Sequence, residues 1–176
     1  SRYGQLDILV NNAAMQPNRS IEEYDADALL RLWNINLGGY WRCAKEAIRY
    51  LRESPCGRIV NMTSLSGLKG LPGQTNYSAA KAAVNAMTKN IAIQFSATDI
   101  RCNAVGPGPT PTPLNAPEAA QFFNQDFAAL CGKHIDITLP EAQTEDQAMA
   151  ILYFASDEAK AVTGQILYVD HGTTLY

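Results

Sequence analysis

Residues Gly57–Ser96 read GRIVNMTSLSGLKGLPGQTNYSAAKAAVNAMTKNIAIQFS. Three kinds of text follow one another in this stretch. GRIVNMTS (Gly57–Ser64) is short, with an apolar, β-branched centre, as in a buried strand. LSGLKGLPGQ is dense in glycine and contains a proline, so it is a loop. From Thr75 to about Ser96 the chain is rich in alanine and free of proline, the composition of a helix. A strand passing through a loop into a helix is the unit from which parallel sheets are built, and the rest of the chain repeats it.

LDILVNN (Leu6–Asn12) is an apolar run closed by two asparagines and is expected to be a strand buried on both faces. Asp25 is a plausible N-cap for a long helix ending near Leu51. Leu29, Leu32, Trp33, Tyr40, Cys43, Ala44, Ala47, Ile48 and Leu51 give that helix its apolar spacing, and the pair Gly38-Gly39 marks a bend. IRCNAVGPG (Ile100–Gly108) is a third strand, stopped by Pro107. Residues 109–117, PTPTPLNAP, hold four prolines and form a stiff loop. A weak helix is expected over Pro117–Leu130. TEDQ (Thr144–Gln147) is a capping box ahead of AMAILYFASDEA, so a helix begins there. GQILYVD (Gly164–Asp170) is the last strand. Strands alternating with helices predict the α/β class, a parallel sheet with helices on both faces. There is no internal repeat, low-complexity segment or linker, and residues 1–176 form a single domain.

Composition narrows the function. The 176 residues carry 14 basic and 17 acidic side chains, a net charge of −3. No block of like charge stands out, so neither a nucleic acid nor an anionic membrane surface is an expected partner. AMAILYFA (Ala148–Ala155), the longest apolar stretch, is too short to cross a bilayer. Cys43, Cys56, Cys102 and Cys131 have neither the spacing of a zinc site nor a C-x-x-C pair. They read as reduced thiols of a cytoplasmic protein.

In an open α/β sheet, ligands bind outside the carboxyl ends of the strands. Asn11 and Asn12, Thr63 and Ser64, and Pro107 through Thr112 fall at such ends. Tyr77 and Lys81 lie four apart in the helix after Ser64, hence on one helix face. Alone they would be an ordinary solvated pair. Beside a serine hydroxyl they can do chemistry. A lysine ammonium favours a nearby phenolate and lowers the phenol pKa from its usual 10 or so. Such a phenol exchanges a proton with an alcohol or a developing alkoxide, while the serine steadies the oxygen. This suits hydride transfer at a carbinol or carbonyl carbon, for which a nicotinamide supplies the hydride chemistry. Asn11 and Asn12 could instead be turn residues, and Thr110 and Thr112 loop hydroxyls. His134 and His171 have no partner pattern. No G-x-S-x-G is present, which argues against a hydrolase triad.

NYSAAK, with Ser64 thirteen residues before Tyr77, resembles the active site of the short-chain dehydrogenase/reductase family. DILVNNAA, NINLGG, GRIVNMTSLSG, IRCNAVGPGPTPT and ASDEAKAVTGQILYVDHG resemble other blocks of that family, in order and at matching spacings. The resemblance covers essentially the whole chain and implies a Rossmann-like fold and an oxidoreductase using NAD or NADP. It assigns Ser64 to orienting the substrate oxygen, Tyr77 to acid–base chemistry, and Lys81 to the nicotinamide ribose and the phenol pKa. Asn36 would anchor a water linking Lys81 to solvent. Asn12, Ala13 and Ala14 would line the adenosine side, and Pro107, Gly108, Thr110 and Thr112 would hold the carboxamide and phosphates. The substrate that the resemblance implies is a small molecule, a secondary alcohol, ketone or sugar hydroxyl. VGPGPTPTPLNA and VTGQILYVDHGTTLY are similar to the glucose 1-dehydrogenase branch. The resemblance also implies a homodimer or homotetramer of the full-length protein, with the alanines of the Tyr77 helix (Ala79, Ala80, Ala82, Ala83, Ala86) admitting close helix approach. Residues 114–141 are expected to be the substrate lid, with Phe122, Phe123 and Phe127 over an apolar pocket.

The chain departs from the family at its start. No glycine-rich turn that would cradle a pyrophosphate occurs, and the resemblance begins at the family's fourth strand. The N-terminal βαβαβ portion is expected to lie outside these residues, so that the chain, which opens on Ser1, is a piece of a longer reading frame. The alternative is a non-catalytic half-domain that binds a partner chain through its exposed edge strand. Ala14 and His171 stand where the family has glycine, and Pro109 and Pro111 remove backbone donors near the two threonines.

Overall fold

The computed structural model of the chain describes residues 3–115, 129–136 and 138–175. Among these residues four strands, β1 (Ile8–Asn11), β2 (Arg58–Met62), β3 (Arg101–Pro107) and β4 (Ile166–Val169), form one sheet in the order β1-β2-β3-β4. All neighbours are parallel, with Val10 opposite Val60 and Val60 opposite Asn103. Each crossover contains helix, as parallel pairing requires. Among the described residues the α-helices include α1 (Ala26–Trp33), α2 (Tyr40–Leu51), α3 (Thr75–Gln94) and α4 (Thr144–Ala155).

Side-chain alternation sorts the core into two layers. Ile59 and Cys102 face α2 and α3, packing with Ala44, Ala47, Leu51, Ala92 and Phe95. Val60, Met62 and Val105 face α4, against Ala150 and Phe154. Each large apolar side chain so buried contributes about 1.5–3 kcal/mol. Helices thus cover both faces, as the alternating text implies. The polar residue inside β2 is satisfied: the Asn61 amide donates to Thr88 Oγ1 at 2.9 Å and accepts from the Asn11 amide at 2.8 Å. On the α4 side, the Arg101 guanidinium donates to the carbonyls of Ser156 (3.0 Å) and Ala159 (2.6 Å), closing the carboxyl end of α4 and the turn after it.

Three expectations are corrected. β1 is not buried on both faces: it has one neighbour, and Ile8 and Val10 are each 41% exposed at the sheet edge. The helix capped by Asp25, whose carboxylate accepts from the Ala28 N–H at 2.7 Å, does not merely bend at Gly38-Gly39. It widens into a π-turn over Asn34–Gly39 before continuing as α2. The cap of α4 lies one residue earlier than TEDQ suggests, since Gln143 is the N-cap and its N–H donates to the Asp146 carboxylate at 2.8 Å. The weak helix expected over Pro117–Leu130, and Phe122, Phe123 and Phe127 within it, lie almost wholly outside the described residues.

Candidate active site

A cleft of about 330 Å³ opens at the carboxyl ends of the strands. Its walls include Asn12 and Ala14 after β1, Met62 at the end of β2 with Thr63 and Ser64 beyond it, and Tyr77 and Lys81 of α3. Pro107 at the end of β3, Gly108, Thr110 and Thr112 after it, and Gln147 and Ile151 of α4 also line it. The sequence reading therefore brings its residues to one place, with two qualifications. Ala13 is exposed and is not among the lining residues. Asn36 sits behind the cleft, fully buried.

Ser64 leaves β2 in an extended conformation and caps a 3₁₀ turn, accepting from the Ser66 N–H at 3.2 Å. The next helix is tied to this strand end. Thr63 Oγ1 donates to the Lys81 carbonyl at 3.1 Å, and Lys81 Nζ donates to the Met62 carbonyl at 2.7 Å. Tyr77 is thereby held within hydrogen-bonding reach of the Ser64 side chain.

Both α3 side chains are buried, Tyr77 to 5% and Lys81 to 1% exposure. Burial disfavours charge and dominates both titrations. It pushes the Tyr77 phenol up to about 12, against the lowering hydrogen bond to Ser64. It pushes the Lys81 ammonium down to about 7. Burial, and not Lys81, therefore sets the direction of the phenol's shift in this geometry. Nζ turns to the Met62 carbonyl and stands 5.6 Å from the Tyr77 ring centre, and an ammonium titrating near neutrality is only partly charged at pH 7.

Asn36 occupies the π-turn and its amide grips one residue twice. Oδ1 accepts from the Met15 N–H and Nδ2 donates to the Met15 carbonyl, both at 2.8 Å. This clamps the segment that runs from Asn12 and Ala14 along the cleft.

After β3 the backbone is already committed. The Gly108 N–H donates to the Val169 carbonyl at 3.1 Å, and the Pro109 carbonyl accepts from the Ala142 N–H at 3.1 Å. Thr110 is buried; its hydroxyl donates to the Gly108 carbonyl at 3.1 Å and accepts from Gln147 Nε2 at 3.3 Å. Thr112 is half-buried on the cleft wall.

Two side chains escaped the sequence reading. Tyr40, 2% exposed, brings its hydroxyl to 3.5 Å from Lys81 Nζ. Its one sequence signal is its position four residues after Asn36, which a wide π-turn places on the same side. Gln147 donates Nε2 to the Val169 carbonyl at 2.9 Å, and its buried Oε1 has no hydrogen-bond partner. A glutamine among the apolar residues of α4 was the available signal.

The donor set fits the nicotinamide-ribose half of a dinucleotide. Hydroxyls of Ser64, Tyr77 and Thr112, one ammonium and the Asn12 amide line the cleft beside the apolar Ala14, Met62 and Ile151. No carboxylate is among its described lining residues to repel an anionic ligand. A pyrophosphate-cradling glycine turn does not occur among the described residues.

Residues 1–174 match the family profile described as enoyl-(acyl carrier protein) reductase. The chain is 35% identical to the 3beta-hydroxysteroid dehydrogenase of Mediterraneibacter gnavus, over 99% of this chain and 69% of that protein. The NAD-bound short chain dehydrogenase of Mycobacterium paratuberculosis superposes with a TM-score of 0.90 at 29% identity, over 98% of this chain and 66% of that one. Gluconate 5-dehydrogenase of Burkholderia cenocepacia, in complex with NADP and tartrate, gives a TM-score of 0.87 at 29% identity, over 99% and 67%. The chain belongs to the short-chain dehydrogenase/reductase family, and it spans about two thirds of the length of these relatives.

Proposed function

We propose that the protein is an NAD(P)-dependent oxidoreductase that interconverts a secondary alcohol, or a sugar hydroxyl, and the corresponding carbonyl. The observation that carries this reading is that the Ser64 and Tyr77 side chains lie within hydrogen-bonding reach, with buried Lys81 beside them, all on one cleft. When bound, the nicotinamide accepts or donates the hydride. The chain's own residues handle the proton and the oxygen. A phenol raised to about 12 is neutral at pH 7, so Tyr77 is ready to donate its proton to a developing alkoxide. In the oxidative direction Tyr77 must first release its own proton to solvent; as the phenolate it then takes the alcohol proton, and positive charge on Lys81 favours that phenolate. Ser64 Oγ donates a hydrogen bond to the substrate oxygen, where charge changes most.

Lys81 also meets the ribose hydroxyls, with Asn12, Ala13 and Ala14 toward the adenosine side. Pro107, Gly108, Thr110 and Thr112 form the carboxamide end, Thr112 offering its side chain and Thr110 bracing the loop. Asn36 acts through the Met15 peptide that it clamps. Leu114, the first residue of the segment 114–141 assigned to the lid, lines the cleft. A small uncharged substrate is favoured, since Lys81 is the one cation among the described lining residues and is buried. The glucose 1-dehydrogenase likeness of residues 105–116 and 162–176 points to a sugar within that class.

We place the protein in the cytoplasm, supported by four cysteines of which none is bridged. No helix among the described residues is long and apolar enough to cross a membrane. A homodimer or homotetramer is supported by an open groove lined by Leu30, Trp33, Leu37, Trp41, Ala83 and Met87. Ala80, by contrast, is spent in the chain's own core.

One observation favours a second reading. The β1 edge presents unpaired backbone and half-exposed Ile8 and Val10, so this chain by itself would bind another polypeptide as an added strand. Nicotinamide absorbance, followed with a panel of secondary alcohols and ketones, separates the two readings. Turnover by the full reading frame supports the enzyme. No turnover and no nicotinamide binding, with a stable complex to a second polypeptide, supports the binding module.

A further inference from the structure

Lys81 is 1% exposed, and no ion pair joins it to a carboxylate among the described residues. A buried ammonium needs compensation. Here it receives the Met62 carbonyl at 2.7 Å, the Tyr40 hydroxyl at 3.5 Å, and two aromatic rings, Tyr40 and Tyr77, centred 5.2 and 5.6 Å from Nζ. Tyr40 begins α2 directly after the π-turn that carries Asn36. The turn therefore aims two groups at the back of the cleft, one at Met15 and one at Lys81.

We propose that Tyr40 is a positioning residue for Lys81: its oxygen and ring hold the ammonium on the Tyr77 side of the cleft, in place of a carboxylate partner. A carboxylate would lock the lysine as a permanent cation. A phenol and two rings give weaker support and leave Lys81 able to change charge near neutral pH. The titratable groups facing Nζ are Tyr40 from α2 and Tyr77 from its own helix; β2 contributes the neutral Met62 carbonyl. The proposal rests on Lys81 being the cation beside the acid–base phenol, and its test reads the Tyr40–Lys81 contact whether or not the site turns over.

The test is a ¹³Cε-lysine NMR titration of the full reading frame, with the Lys81 resonance assigned by its loss in Lys81→Arg. Tyr40→Phe keeps the ring and removes the oxygen. Losing an acceptor destabilises the charged form, so the Lys81 midpoint should fall by about half to one unit. Replacing Tyr40 with 3-fluorotyrosine, whose oxygen is a weaker acceptor, should give a smaller fall of the same sign. Tyr50→Phe, an exposed position on the same helix, should leave the midpoint in place. In Tyr40→Phe the pH profile of kcat/KM for alcohol oxidation should move its Lys81-dependent limb to lower pH by the same amount. A Lys81 midpoint that stays put or rises in Tyr40→Phe overturns the proposal. So does an activity loss equal at every pH with that midpoint unmoved, which is the mark of a packing role alone.

Discussion

Gly67 lies in the 3₁₀ turn between Ser64 and α3, and substituting it tests how tightly the serine is registered on the helix. An alanine Cβ there would stand 2.8 Å from the Lys81 carbonyl carbon and 3.0 Å from both the Lys81 carbonyl oxygen and the Ala82 nitrogen. All three are backbone atoms of α3, so none can swing away as a side chain would. Carbon contacts settle near 3.5–4.0 Å, so turn and helix must part by about 0.7 Å. Thr63 Oγ1, bonded to the same Lys81 carbonyl, and Asn85 Nδ2, bonded to the Gly67 carbonyl at 3.2 Å, both resist the movement. Overpacking of this kind costs about 1–3 kcal/mol, or a Tm loss of about 2–12 °C at this chain length. The turn carries Ser64 with it, and a misplacement approaching 1 Å costs up to about 10²-fold in rate. Gly67→Ala in the full reading frame should therefore lower kcat by about 10–100-fold, measured as nicotinamide absorbance at saturating substrate, and lower Tm in a parallel melt. A variant with unchanged Tm and a kcat within about twofold of wild type would show that the turn yields freely, refuting the claim that Gly67 sets the Ser64–Tyr77 register.

Two further outcomes follow from the same geometry. Asn36→Ala leaves the Met15 N–H and carbonyl without their 2.8 Å partners, so stability should drop by about 1–3 kcal/mol in urea melts and dinucleotide affinity should weaken as the Asn12–Ala14 segment loosens. For Lys81, burial sets the folded value near 7, below its ordinary 10.5, so between these values the unfolded chain binds more protons than the folded one and stability rises with pH. Lys81→Met removes the penalty of burying that charge. The variant should be more stable than wild type at about pH 6, with the gap narrowing toward about pH 9; a constant gap in urea melts across that range would contradict the assignment.

The sheet and its helices were legible because parallel strands buried on both faces leave continuous apolar runs, and because Asp25 and Pro107 punctuate the elements clearly. The edge position of β1 is not written in LDILVNN itself, which reads the same with one neighbour or two; it follows from the absence of the three strands that precede this block in the family. The π-turn was hidden because a wide turn has no residue signature of its own, and Gly38-Gly39 pointed to an ordinary bend. Gln143 does not stand out as a cap because glutamine is a weak capper, while Thr144 next to it is a strong one. At the site, the Ser64, Tyr77 and Lys81 set was readable from spacing. Its electrostatics were not, because titration depends on burial, and no local text reveals that Lys81 is sealed under Tyr40. Tyr40 itself is one apolar position among nine in a helical stripe, and only the fold distinguishes it.

Tyr77→Phe, made in the full reading frame, tests the central claim most directly. It removes one oxygen from a ring packed with Leu32 and Ala80, and leaves the packing in place. We expect kcat to fall by about 10²–10⁴-fold while the dinucleotide dissociation constant, read by fluorescence titration, changes only a few-fold. Turnover at the wild-type rate in that variant would mean that the proton moves through some other group, and the acid–base role of Tyr77 would be wrong.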